Sequence, residues 1–262
     1  MSTFSSIGAI VRKEWQHYFG SPIAYVALFS WNLLFALFFL IGLNEFIDVS
    51  MNPRGGMMGG APKPNLNEWI FRPTLMVMAQ VALFILPMIT MRLFAEEQRQ
   101  GTWELLATSA ITDWQIVLGK FFGAVSLFTM MVASSLINFG IVFLYADPRP
   151  EWKPILTGAL GLLLVGSCFI ALGAFVSTIT KNQIVAGILS FCLFLAIWAL
   201  SWLDNPMAAA PIQALAYLGI INHADDLMKG VIDTKDLIFY ASFIGFGLFL
   251  TQQSIESRRW RE

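Results

Sequence analysis

Charged residues are scarce in this sequence. Asp, Glu, Lys and Arg make up 13% of its 262 residues, hydrophobic residues make up 57%, and the mean hydropathy is +0.67. A soluble globular domain carries about twice that share of charge. The composition therefore excludes an ordinary soluble domain and indicates a protein that crosses the membrane several times.

The sequence also lacks an excess of positive charge, since its formal net charge is -1. No basic patch is large enough to neutralise many phosphates, which argues against nucleic acid as a partner. Cys168 and Cys192 lie in apolar runs without metal-ligand spacing, so we interpret them as small packing residues. Residues 1–20 lack the apolar core and small-residue cleavage site of a secretory signal, so we expect no cleavable signal there.

Catalytic motifs are missing as well. Gly119-Lys120 is followed by Phe121 and lacks the upstream glycine spacing of a phosphate-binding loop, so this chain is not expected to hydrolyse nucleotide by itself. The apolar runs do not contain the ionisable residues of a proton-coupled carrier or an intramembrane protease. The main polar intrusions are interpreted as hydrogen-bonding contacts between helices rather than substrate ligands; they are Asn32, Gln80 and Asn138.

The apolar runs predict an all-α, polytopic membrane protein with six transmembrane helices. In the third run, Lys120 is expected to extend its ammonium group to the membrane surface. Six spans place both termini on one side, and the bias of basic residues near the span ends favours the cytoplasm for that side. The predicted spans cover residues 22–43, 73–91, 113–145, 155–179, 184–202 and 237–251.

Residues 1–20 precede the first span and carry apolar side chains at helical spacing. Ile7, Val11 and Trp15 share one face, whereas Arg12 and Lys13 fall on the other. This pattern favours a helix lying in the membrane interface. The alternative is an ordinary cytosolic helix packed on a partner or on a neighbouring part of this chain.

Two polar connections fall on the other side of the membrane. Residues 44–72 are rich in Gly, Pro and Met and are predicted to form a flexible loop, in which methionine thioethers could bind Cu(I), although no Cys or His accompanies them. Residues 204–236 are broken by prolines and predict short helices dipping into the outer leaflet. In that segment, His223, Asp225 and Asp226 indicate either a metal site or, as we favour, a solvated turn.

The densest cluster of charge, residues 92–113, separates the second and third spans. Charged side chains cannot lie in hydrocarbon without a large cost, so the segment must face water. Its helix-forming composition predicts a helix, a break at Gly101, and a short helix beginning at Thr102. A third helix then begins at Thr112, which forms a capping-box pattern with Gln115, and leads into the third span.

This segment carries a resemblance to a known family. The sequence AEEQRQGTWELL at 95–106, followed by WQIVLGKF at 114–121, resembles the segment between the second and third spans of type-2 ABC transporter permeases. The similarity is closer to the gliding-motility GldF-like permeases, through SPIAY at 21–25, KNQIVA at 181–186 and GVIDTKDL at 230–237. One departure is Ala110, where the family often has Pro.

The resemblance implies one transmembrane permease domain over residues 1–262, in the cytoplasmic (inner) membrane of a bacterium. It implies an N-terminal interfacial elbow helix at 1–20, a cytoplasmic coupling helix within 92–113 and outer-leaflet re-entrant helices within 204–236. The implied partners are ATP-binding cassette ATPase subunits, which bind the ATP and Mg, a second permease subunit in a homo- or heterodimer, and an accessory extracytoplasmic or membrane protein. This chain is then not an enzyme and carries no cofactor.

The residues that the resemblance assigns to ATPase coupling lie around the break in the charged segment. The alternative for its acidic residues is a merely solvated helix face. The assigned residues are Glu96, Glu97, Gly101, Thr102, Trp103, Glu104 and Leu105.

The expected function is export driven by the partner ATPases. One alternative is an ATP-driven mechanotransmission or scaffold subunit, which acts on extracytoplasmic partners of motility or cell-envelope machinery without moving a substrate. A membrane-embedded enzyme is a further alternative, disfavoured by the missing intramembrane carboxylates and histidines. Apolar spans suit a lipidic or amphipathic cargo, but the same composition describes spans that simply pack together.

Overall fold

The computed structural model describes residues 3–51, 65–102, 111–147, 149–203 and 209–259, and the regular structure in these ranges is helical. Six helical segments are long and apolar enough to cross a membrane, which confirms the predicted spans. The helices are α1 (Thr3–Phe19), α2 (Pro22–Met51), α3 (Arg72–Thr90, preceded by the π-helical turn Asn67–Phe71), α4 (Ala95–Gln100), α5 (Asp113–Tyr145), α6 (Lys153–Ile179), α7 (Gln183–Leu200, followed by the 3-10 turn Ser201–Leu203), α8 (Ala210–Ala216), α9 (Ala224–Met228) and α10 (Thr234–Arg259).

Local capping sets several helix ends. The Gln115 side chain accepts the backbone N–H of Thr112 at 3.1 Å, so α5 begins at Asp113 as the capping-box pattern predicts. The Asn182 side chain accepts an N–H in the first turn of α7. Gly101 ends α4 with φ of 70°, a left-handed conformation that glycine adopts without steric cost.

The central helix is α6, which packs against α3, α5, α7, α9 and α10. Its glycines allow this close packing. A Cβ atom at Gly166 would lie 2.1 Å from the Phe128 ring on α5, and one at Gly173 would lie 2.4 Å from Oγ1 of Thr90 on α3. Small residues in α6 therefore determine how near the neighbouring spans approach.

One end of the bundle gathers α1, the start of α4 and the carboxyl ends of α6 and α10. Ser177 near the end of α6 contacts Ala95, and the hydroxyl of the next residue, Thr178, donates to Ser254 on α10 at 2.8 Å. α1 packs along α5, where Gly119 and Gly123 leave room for Ile10 and Glu14. The N-terminal helix thus packs on the protein itself, and its placement in a membrane interface stays a prediction.

The prediction of a flexible loop over 44–72 is wrong at both ends. α2 continues to Met51 because Leu43 and Phe46 still pack against the hydrophobic core. The chain is helical again from Leu66 onward into α3. Of the methionines considered as Cu(I) ligands, Met51 is the exposed last residue of α2, whereas Met57 and Met58 lie outside the described residues.

The segment 204–236 is described from residue 209. It forms two short helices, α8 and α9, joined by turns. Gly230, with a φ of 92°, follows α9, and α10 begins at Thr234. The solvated-turn interpretation is wrong for His223, which is 8% exposed, because its ring is packed against α10. Asp225 forms an ion pair with Arg72 of α3. Insertion of this segment into the outer leaflet stays a prediction.

Candidate functional site

The coupling region, residues 92–113, is described for 92–102 and 111–113. Its first part is held by Ser177 of α6. The Ser177 hydroxyl accepts the backbone N–H groups of Phe94 and Ala95, both at 3.0 Å, and donates to the carbonyl of Met91 at 3.2 Å. Amide groups at a helix start lack partners within the helix. Ser177 therefore supplies an acceptor that binds the beginning of α4 to the central span.

Lys120 binds the coupling region to two further helices. Its side chain is 3% exposed, and Nζ lies 2.8 Å from Oε1 of Glu14 on α1 and 3.1 Å from Oε2 of Glu97 on α4. The prediction that Lys120 reaches the membrane surface is wrong, because two carboxylates meet its ammonium group inside the protein. A buried charge is tolerated when it is paired in this way.

The two carboxylates of α4, Glu96 and Glu97, form further pairs. Glu97 binds Lys13 of α1 through Oε1 at 2.8 Å. Glu96 lies 3.3 Å from Nε of Arg92 and 3.0 Å from Nε2 of His17. We call these residues the charged cluster; it comprises Lys13, Glu14, His17, Arg92, Glu96, Glu97 and Lys120.

The charged cluster is balanced, with three permanent cations against three carboxylates and a histidine beside them. Each carboxylate lies within ion-pair distance of a cation on another turn or another helix. In a low-dielectric environment such contacts are strong and depend steeply on geometry. The cluster therefore joins α1, α4 and α5, and none of these helices can move relative to the others without breaking ion pairs.

The structure brings together only part of the residues assigned to ATPase coupling. Glu96 and Glu97 lie in the charged cluster, with side chains 11% and 12% exposed, so the solvated-face alternative is wrong for both. Gly101 and Thr102 are exposed at the end of α4, and the Thr102 N–H donates to the carbonyl of Glu97. Trp103, Glu104 and Leu105 lie outside the described residues.

Several residues of this site were not anticipated from the sequence, namely Lys13, Glu14, His17 and Ser177. A signal existed for Glu14. Lys120 interrupts an apolar run, and an ionisable residue in such a run requires a partner of opposite charge. The polar face of α1 contains candidate partners, whereas a lone serine such as Ser177 carries no comparable signal.

Six helices in the described part of the chain are long and apolar enough to span a membrane, and a helical coupling region is fastened to an N-terminal helix at one end, which defines a multi-pass membrane protein. Residues 6–251 match the family model described as ABC-2 family transporter protein. The chain therefore belongs to the ABC-2 family of transporter permeases. The gliding-motility subgroup stays a prediction.

Two curated relatives are similar to this chain. Both bear the name "Probable multidrug ABC transporter permease YbhR", one from Escherichia coli strain K12 and one from Escherichia coli O157:H7. Each is 26% identical over 207 residues, which cover 73% of this chain and 55% of the relative. The chain thus spans about half the length of the curated relatives it matches.

Proposed function

We propose that this chain is the membrane-spanning subunit of an ABC exporter in the bacterial cytoplasmic membrane, driven by ATP hydrolysis in separate ATPase subunits. Those subunits bind the ATP and Mg, and a second permease subunit completes the assembly. The coupling region and both termini face the cytoplasm. Family membership and the printed name of the relatives support this function.

The observation that carries the proposal is the attachment of the coupling region to three separate helices. Ser177 connects it to α6, Glu97 connects it to α5 through Lys120, and the same glutamate connects it to α1 through Lys13. A displacement of α4 must therefore displace these helices or break buried ion pairs. A mechanical input from a cytoplasmic ATPase is transmitted through such a junction when the bundle has two discrete packings.

The assigned coupling residues divide into two roles in this proposal. Glu96 and Glu97 act inside the chain, as positioning residues that transmit movement from α4 to α1 and α5. The exposed end of α4, at Gly101 and Thr102, continues into Trp103, Glu104 and Leu105, and this stretch contacts the ATPase. The division follows from burial, because the two paired carboxylates have little surface left to offer a partner.

Co-purification tests the proposal. The protein is extracted from its native membrane in mild detergent, its companions are identified by mass spectrometry, and ATP hydrolysis is measured. Thr102→Arg places a bulky cation on the exposed end of α4, and Ser257→Arg places the same group on an exposed position near the end of α10. We expect an ATPase subunit to accompany the wild type and the Ser257 variant but to be depleted from the Thr102 variant. A wild-type preparation without any ATPase, or equal retention by both variants, would contradict the proposal.

Transport separates export from the mechanotransmission alternative. The complex is reconstituted into vesicles with an amphipathic fluorescent cation such as ethidium, and ATP-dependent movement of the dye is followed. We expect movement that is lost with the Thr102 variant. Coupled ATP hydrolysis without movement of this dye or of labelled lipid would instead favour a subunit that acts on extracytoplasmic partners.

A further inference from the structure

A buried histidine lies at the end of the bundle opposite the charged cluster. His223 precedes α9, and its imidazole ring is stacked on the Phe239 ring of α10 with 3.9 Å between ring centroids. Tyr217 and Tyr240 pack edge-on against the same ring. The coupling mechanism proposed above does not use this residue.

Both ring nitrogens of His223 face oxygen atoms. Nδ1 lies 2.7 Å from Oδ1 of Asp236, in the first turn of α10, and Nε2 lies 3.0 Å from the backbone carbonyl oxygen of Tyr217. A carbonyl oxygen and an ionised carboxylate can only accept hydrogen bonds, and a neutral imidazole has one N–H to donate. A neutral histidine beside an ionised Asp236 would therefore leave one ring lone pair facing an oxygen lone pair.

One additional proton satisfies both contacts. Either the ring is an imidazolium that donates from both nitrogens, or the ring is neutral and donates from Nε2 while a protonated Asp236 donates its O–H to Nδ1. The two forms are alternative placements of the same proton within the pair. We propose that His223 and Asp236 form a proton-binding site that fastens the turn 217–223 to the start of α10.

The closest charged partner of Asp236 among the described residues is His223, and its other oxygen, Oδ2, is buried without a hydrogen-bond partner. Asp225 pairs with Arg72 of α3 and with Lys229, and Asp226 also faces Lys229. The positive charge of Lys235 also acts on Asp236, but its ammonium group pairs with Asp233 at 3.0 Å and lies 3.9 Å from Asp226. The Tyr240 hydroxyl donates to the Ile220 carbonyl, and α6 contributes the buried thiol of Cys168.

The proton also affects an apolar cavity. Tyr217, Leu218 and Phe239 line a cavity of about 550 Å³ between α6, α7 and α10. Tyr217 is held there by the same carbonyl contact that requires the ring Nε2–H. When the additional proton is lost, the remaining ring N–H stays on Nδ1, because a hydrogen bond to the ionised Asp236 carboxylate is stronger than one to a neutral carbonyl. The carbonyl of Tyr217 then loses its donor. The rim formed by Tyr217 and Leu218 is released, so the cavity widens as the pair loses its proton.

Nuclear magnetic resonance measures the proton directly. The sequence has two histidines, His17 and His223, so ¹⁵N-histidine labelling in nanodiscs gives few signals, and His17→Gln assigns them. At pH 5 we expect His223 either with both nitrogens protonated, or with Nε2–H and an infrared band of protonated Asp236 that disappears in Asp236→Asn. A neutral ring beside an ionised Asp236 at pH 5 would overturn the proposal. The nitrogen signals are measured without a variant at the pair, and Asp236→Asn serves to assign the infrared band.

Asp236→Asn is the informative variant, because a side-chain amide donates to Nδ1 of a neutral imidazole whose Nε2–H still reaches Tyr217. The contacts then persist without the additional proton. We expect this variant to keep its fold, shown by a monodisperse elution profile and unchanged helical circular dichroism.

Cysteine labelling reports on the rim. Leu218→Cys and Trp152→Cys are each made in a Cys192→Ser background and labelled with a polar maleimide. Trp152 is an exposed position before α6, and the quantity compared is the labelling rate of Leu218→Cys divided by that of Trp152→Cys. We expect this ratio to rise roughly fivefold between pH 5 and pH 9 in the otherwise wild-type chain, the scale of one net hydrogen bond. It should stay constant with Asp236→Asn. An equal pH dependence in both chains, or no rise in either, would overturn control of the rim by the pair.

Discussion

Lys120 on α5 and Glu14 on α1 form an ion pair of 2.8 Å between two buried side chains that are 106 positions apart. The pair makes the N-terminal helix a structural part of the bundle, because α1 supplies one of the two carboxylates that neutralise the buried Lys120. It also places α1 on the route by which the coupling region contacts the spans. An elbow helix that only rested on lipid would not require this contact.

Replacement of Lys120 by Met should destabilise the protein strongly. Glu14 and Glu97 would lose their shared cation, and breaking a buried ion pair by removing one partner costs about 3–5 kcal/mol. The thermal unfolding midpoint in detergent should therefore fall well below that of Lys181→Met, an exposed control. The double variant Lys120→Met with Glu14→Gln should recover part of the loss. Equal midpoints for the two single variants would show that the cluster contributes little to stability.

Ser177→Ala should loosen the start of α4. The backbone N–H groups of Phe94 and Ala95 would lose their acceptor, and an unsatisfied buried donor costs about 1–3 kcal/mol. Hydrogen exchange measured by mass spectrometry should accelerate in the peptide that contains these amides. Ser167→Ala is the matched control, since that hydroxyl is also buried on α6 but bonds to its own helix. Faster exchange at 94–95 in both variants would indicate a general loosening of α6 instead.

The spans could be predicted because each depends on the length of one continuous apolar stretch. The start of α5 could be predicted because it depends on a pattern of four consecutive residues. Lys120 and His223 were misjudged for the opposite reason. Whether a lone charged or polar side chain is buried depends on partners such as Glu14 and Asp236 that come from other helices. No local spacing encodes those contacts, so Lys120 suggested a snorkelling side chain and His223 a solvated turn.

The limits of α2 were misjudged for a different physical reason. Glycine, proline and methionine between 52 and 64 dominate the composition of the connection, but Leu43 and Phe46 on the preceding side keep apolar contacts with the core. Tertiary packing extends a helix beyond the point where its sequence turns polar. Part of the candidate site could be predicted from the sequence, because the density of charge in residues 92–113 pointed to Glu96 and Glu97. Their partners on α1 could be identified only from the fold.

Gly173→Ala should separate α3 from α6. The added Cβ would lie 2.4 Å from Oγ1 and 2.6 Å from Cβ of Thr90, so a rotamer change at Thr90 cannot relieve the contact. Overpacking of this kind costs about 1–3 kcal/mol. Gly140→Ala on α5 meets open space, so the same change there should leave stability equal or higher. The comparison of the two thermal midpoints is the measurement, and a Gly173 variant as stable as the Gly140 variant would show that the helices move apart at little cost.

The ion pairs of Asp225 should contribute to the free energy of unfolding in a way that is lost at acid pH. Burial alone would raise the pKa of this carboxyl, but hydrogen bonds from Lys229 and Arg72, with their charges, outweigh burial and hold the pKa below its ordinary value of 3.8. A depressed pKa in the folded state means that the stabilisation is present above the unfolded value and is lost as pH falls through the folded one. Asp225→Asn should therefore lower the thermal midpoint at pH 6, and the difference from wild type should shrink as the pH falls below about 4. If the difference stayed constant from pH 6 to pH 3, ionisation of Asp225 would not be the source of the contact's stability.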